Sequence, residues 1–98
     1  MPRPAIHPGE ILAEELAELS VTPTELARQI KVPPNRLSQI ILGKRGVSGD
    51  TALRLGHWFG SSAQFWLNLQ AAYDLRLAEQ AAGNEIAKLP TRVVEQAA

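Results

Sequence analysis

The 98-residue chain is expected to be all-α, with five helices, a helix-turn-helix among them and a long fifth helix used for dimerisation. Three observations predict this. Two short apolar-periodic runs between Thr22 and Leu42 are joined by a tight break at Pro33-Pro34. Helix-start residues such as Thr22, Ser48 and Ser62 stand ahead of apolar runs. The stretch from Ala63 to Ala82 is apolar on more than one side of a helix. One domain over residues 1–83, followed by a short flexible tail at 84–98, suits a chain long enough for a single modest core.

The opening segment to His7 is expected to be extended. His7-Pro8-Gly9-Glu10 leads into a first helix ending near Leu19, with Ile11, Leu12, Leu16 and Leu19 inward. Glu14, Glu15 and Glu18 face out, either as a solvated face or as an acidic patch for a basic protein partner. Thr22-Pro23-Thr24-Glu25 opens the second helix. Thr22 can accept from the Glu25 amide while Glu25 reaches back, and Pro23 occupies the first helical position, where a missing N–H costs nothing. Leu26, Ala27 and Ile30 then recur at helical spacing.

Pro33 and Pro34 end that run, because a residue before proline is pushed out of the α region. A third helix can start at Pro34 and carry Leu37, Ile40 and Ile41 on one face. Two short helices, a turn of three or four residues and the small Ala27 at the crossing make a helix-turn-helix. Gly43-Lys44-Arg45-Gly46 is a loop, and Ser48 caps a fourth helix with Asp50 in its first turn. Ala52, Leu53, Leu55, Trp58 and Phe59 form its buried face, and Gly60 ends it.

Ser61 or Ser62 caps the fifth helix, which is expected to stop at Gly83. Phe65, Leu69 and Ala72 make one stripe on it. Trp66, Tyr73 and Leu77 make a second, offset by roughly 100°, and this second stripe is expected to form the dimer interface. The tail is interrupted by Pro90, with Val93-Val94 available to anchor it.

Net charge is zero, yet it is unevenly distributed. Residues 1–19 sum to −3 and residues 60–98 to −1, whereas residues 20–59 sum to +4. Phosphate neutralisation is local, so a basic segment around a helix-turn-helix implies a DNA partner whatever the whole-chain charge. Cysteine is absent, which excludes a disulfide framework and thiolate chemistry. No apolar run approaches the ~20 residues of a membrane span, and the N-terminus lacks the apolar core of a signal peptide. A cytoplasmic protein is expected.

In a helix-turn-helix the second helix lies in the major groove with its N-terminal residues on base edges. Asn35, Arg36, Ser38 and Gln39 are the outward positions and the expected base readers. Asn and Gln can each pair with adenine, and Arg36 could reach a guanine or a phosphate. Thr22 and Thr24 are expected to bind a phosphate at the start of the second helix. Lys44 and Arg45 are expected to grip the backbone beyond the reading helix. No enzyme is legible: His7 and His57 lie on different elements, no nucleophile has an evident base, and no phosphate loop is present. His57 reads as a packing residue, and neither a metal site nor a cofactor is expected.

The Thr22–Arg45 stretch resembles the phage-repressor (XRE-type) class. It departs from that class at Lys31, where glycine is commoner, and at Pro33-Pro34, where a polar cap is commoner. The segments at 7–12, 50–55, 65–70 and 73–75, reading HPGEIL, DTALRL, FWLNLQ and YDL, extend the likeness. Together they resemble the HigA (VapI-like) antitoxins of bacterial toxin–antitoxin modules over about residues 6–78. That resemblance implies a homodimer that binds a palindromic operator, represses its own operon and neutralises a HigB-type mRNA endonuclease toxin. The alternative is a stand-alone XRE-type regulator with no toxin partner.

Overall fold

The computed structural model describes residues 4–93. Among them there are five helices and no strand: α1 (Pro8–Leu19), α2 (Pro23–Ile30), α3 (Arg36–Ile41), α4 (Gly49–Phe59) and α5 (Ala63–Ala87). The helix starts follow local chemistry. Ser48 and Ser62 accept from the amides of Thr51 and Phe65, the hydrogen bond that an N-cap exists to supply. Thr22 accepts from Glu25 N at 3.1 Å, but Glu25 does not reach back. Its carboxylate is held by Arg28 and Gln29, so the expected capping box is only half made. The complete box is at α1, where His7 Nδ1 accepts from Gly9 N at 2.9 Å and Glu10 accepts from His7 N at 3.0 Å.

Four helix ends share one device. The chain turns left-handed at Ser20, Lys31, Gly43 and Gly60. The next amide then bonds back to the carbonyl five residues earlier: Val21 to Leu16, Val32 to Ala27, Lys44 to Gln39 and Ser61 to Gly56. This accounts for glycine being commoner at the position that Lys31 holds here. It also explains Leu19, which is 52% exposed and not inward as expected. After the reversal at Ser20, Val21 takes its place against the core.

The core joins Leu12 and Leu16 of α1, Leu26, Ala27 and Ile30 of α2, Leu37 and Ile40 of α3, Ala52 and Leu55 of α4, and Trp66 of α5. Two glycines let helices approach closely. A Cβ on Gly9 would lie 2.0 Å from the Ile40 carbonyl oxygen, and one on Gly56 would lie 2.7 Å from Ala63 N. Gly9 therefore sets how near α1 comes to α3, and Gly56 how α5 leaves α4.

Further expectations are corrected. Leu53 is 66% exposed, because the buried face of α4 runs through Thr51, Ala52, Leu55 and Gly56. His57 is exposed and does not pack inward. It lines a cleft of about 430 Å³ with Leu53, Trp58 and the end of α2. Helix α5 passes through Gly83 and ends at Ala87, so residues 84–87 are helical rather than tail. Val94 lies outside the described residues.

Trp66, expected in a dimer interface, is 1% exposed and belongs to the chain's own core. Phe59 and Phe65 pack against its ring, and its indole N–H has no acceptor among the described residues. Tyr73 is half-buried and packs T-shaped against the His7 ring, with ring centroids 4.8 Å apart, so α5 also supports the start of α1. Leu77, on the same stripe, is 42% exposed.

Candidate nucleic-acid interface

The turn between α2 and α3 decides which side chains α3 presents. Pro33 O accepts from Arg36 N at 2.9 Å, so both prolines lie in the turn and α3 begins at Arg36 rather than Pro34. Asn35 becomes the N-cap residue. Its side chain makes no cap bond and is exposed, leaving both its donor and its acceptor available. Leu37 and Ile40 are fully buried and anchor α3 against α1 and α2. Ala27, also fully buried, leaves the room that lets them do so.

The four expected base readers are not equivalent. Ser38 Oγ donates to Asn35 O at 3.0 Å, so its hydrogen is spent and it faces a base as an acceptor. Arg36 turns toward α4, with Nη1 making a long 3.5 Å bond to the buried Thr51 Oγ1. Gln39 Oε1 accepts from Arg45 Nε at 3.0 Å, an interaction that sequence spacing alone does not reveal.

The expected phosphate-binding residues flank this helix. Thr22 shares an apolar groove with Ile41 of α3, and Thr24 shares another with Pro34 of the turn. The start of α2 is thus beside the reading helix. Pro23 has no N–H and the Glu25 amide is bound by Thr22, which leaves the Thr24 amide as the first-turn donor. Lys44 and Arg45 are exposed on the loop after α3.

That loop is fixed from the far side by a residue that sequence reasoning missed. Gln70 of α5 accepts from Val47 N at 2.7 Å and donates to Asp74 at 3.0 Å. The signal was its place in the FWLNLQ segment, an amide among apolar neighbours.

Not every cation of the basic segment is free. Arg28 pairs with Glu25, whose carboxyl this guanidinium, with help from the Gln29 amide, holds down at about 2 from an ordinary 4.5. The same contact raises the pKa of Arg28. Arg54 binds Asp50 at 2.9 Å and closes the end of α2 by donating to Ile30 O at 2.8 Å. Trp58 Nε1 donates to Gln29 Oε1 at 2.8 Å nearby. These groups hold α2 to α4, while Lys44 and Arg45 make no ion pair among the described residues. No cluster of metal-ligating side chains occurs among those residues, and no helix is long and apolar enough to cross a membrane.

Five helices, the α2–turn–α3 unit and an exposed polar face at the start of α3 define a helix-turn-helix protein of the repressor-like class. No protein-family model matches the chain. It is 53% identical over 78 residues to virulence-associated protein I of Dichelobacter nodosus, covering 79% of this chain and 72% of that protein. Among solved structures it is similar to an addiction-module antidote protein of the HigA family from Coxiella burnetii. The TM-score is 0.89 at 46% identity, over 93% of this chain and all of the other. It is also similar to the antitoxin HigA of Pseudomonas aeruginosa, solved with the higBA promoter. There the TM-score is 0.86 at 44% identity, over 91% and 99% of the two chains. The chain belongs to the HigA family of antitoxins.

Proposed function

We propose that the chain is a sequence-specific DNA-binding antitoxin. As a homodimer it represses its own operon through a palindromic operator, and it neutralises a HigB-type mRNA endonuclease toxin. The observation that carries the reading is the start of α3, where exposed Asn35 and half-buried Ser38 and Gln39 sit between the α2 N-terminus and the Lys44-Arg45 loop. The promoter-bound relative supports the DNA partner, and family membership supports the toxin. Asn35, Ser38 and Gln39 read bases, with Arg36 reaching the groove only on leaving Thr51. Thr22, Thr24, Lys44 and Arg45 face the backbone.

Tyr73 and Leu77 lie toward the dimer interface, and the segment beyond α5 is a short tail. The protein acts in the cytoplasm, where its operator is, and it is not an enzyme.

The test is a gel shift of the full chain on the DNA upstream of its own gene, across a salt series. A discrete complex that resists competitor DNA and weakens steeply with salt is expected. Asn35→Ala and Gln39→Ala should each cost about 1–3 kcal/mol of specific binding with the fold intact. Affinity no better than for random DNA would overturn the reading. Specific binding without any neighbouring gene product that co-purifies would instead mark a stand-alone regulator.

A further inference from the structure

We infer that Gln39 and Arg45 form one base-reading unit, in which Arg45 sets the base that Gln39 selects. The inference rests on the DNA-binding reading above and replaces the phosphate grip assigned to Arg45. Arg45 Nε donates to Gln39 Oε1 at 3.0 Å. A guanidinium can only donate, so the Gln39 amide must turn its oxygen toward Arg45 and its NH₂ group away.

The backbone makes the same pairing. Gly43 reverses the chain and Lys44 N bonds to Gln39 O at 2.9 Å, folding the loop onto the residue it serves. Beyond Arg45 the loop is anchored. Val47 is buried and its amide is held by Gln70, while Gly46 lies so close to the Gln70 side chain that a Cβ there would be 3.0 Å from its oxygen. Arg45 is therefore two residues from a core anchor and bonded to α3 through its side chain.

The consequence is a change of specificity. A free glutamine matches adenine, donating to N7 and accepting from N6. Here the accepting oxygen carries a guanidinium, whose charge opposes a further donor from the base. What remains outward is the Gln39 NH₂ and the Arg45 Nη groups, all donors. Guanine offers two acceptors on its major-groove edge, O6 and N7. The unit thus selects a G·C pair at one position of each half-site.

The test uses the full-length protein and the DNA upstream of its own gene, with every base pair of a half-site substituted singly. Arg45→Lys keeps the charge but lacks the planar guanidinium, and its position on an exposed loop leaves thermal unfolding unchanged. Arg45→Lys and Gln39→Ala should each abolish about tenfold or greater discrimination at the same G·C pair. The salt dependence of Arg45→Lys should match the wild type. A phosphate grip gives another pattern. Lysine then restores wild-type selectivity at every position, and Arg45→Ala weakens all sites evenly with a salt slope smaller by about one. That pattern overturns the inference and leaves DNA recognition standing. Wild-type protein that discriminates at no position overturns the DNA reading itself.

Discussion

At the scale of single residues, two backbone positions make sharp and opposite predictions. Gly9 faces the Ile40 carbonyl so closely that a Cβ would sit 2.0 Å from the oxygen, with Ile41 Cα at 2.8 Å. No side-chain rotation relieves a clash with backbone, so Gly9→Ala must push α1 off α3. We expect a loss of at least about 3 kcal/mol in chemical denaturation, beyond ordinary overpacking. DNA binding should fall with it, because α3 moves. An unaltered denaturation midpoint would show that α1 and α3 slide apart freely. Lys31 is the reverse case. It holds φ 58°, a conformation that costs a side chain about 1–2 kcal/mol and costs glycine nothing. Glycine gives back about 0.4–1 kcal/mol through a freer unfolded chain. Lys31→Gly should therefore stabilise by about 0.5–1 kcal/mol net, read as a higher urea midpoint with an unchanged m-value. A lower midpoint would mean that the lysine makes a contact whose loss outweighs the strain.

At the scale of helices, starts are legible in a sequence and ends and faces less so. Thr22, Ser48 and Ser62 act through bonds to amides three residues away, and Pro23 through a missing N–H that the first turn does not need, so a short window contains the whole cause. Gly60 announces the end of α4, yet Ser20 and Lys31 end helices in the same left-handed turn without announcing it. Gly83 misleads in the other direction, since isolated glycine weakens a helix but does not stop one. The roles of Gly9, Gly56 and Gln70 depend on partners far along the chain, and periodicity cannot place them. Leu37 and Ile40 mark the reading helix by their spacing, but the Gln39–Arg45 bond depends on the path of the loop after α3 and has no signature in the sequence. Glu25 shows how one side-chain choice redirects an element. Turned forward to Arg28 and Gln29 instead of back to its cap, it remains ionised down to about pH 2. Its folded pKa is depressed, so its stabilising effect on α2 is present above the ordinary 4.5 and is lost as pH falls through about 2. Amide exchange in α2 should accelerate across that window, and Glu25→Gln should remove this part of the acid dependence. High salt should shrink the effect, because the pair is exposed. A Glu25 titration midpoint near 4.5 at low salt would contradict the pairing.

At the scale of the molecule, α5 is the element that outgrows the domain. It spans 25 residues, about 37 Å at 1.5 Å per residue. The radius of gyration is 17.6 Å, against about 13 Å for a compact chain of this length. In the proposed dimer, the stripe Trp66–Tyr73–Leu77 gives this overhang its use. Its first residue is buried in the core, its second is half-buried against His7, and its third is 42% exposed although it continues the same line. The stripe begins inside one chain and runs out past the edge of the body, where a second copy can cover it. Leu75 and Ile86, 64% and 56% exposed, add apolar surface on the other side of the overhang. A two-fold dimer places its half-sites one helical turn apart, about 34–36 Å. Leu77→Asp should therefore halve the mass in light scattering while far-UV circular dichroism stays near wild type and the unfolding midpoint loses its dependence on protein concentration. Operator affinity should drop together with the dimer, since each monomer then reads one half-site. Trp66→Asp must behave differently and unfold the chain, because the charge enters the core of the monomer. A Leu77→Asp protein that remains dimeric would move the interface to the Leu75–Ile86 side of α5.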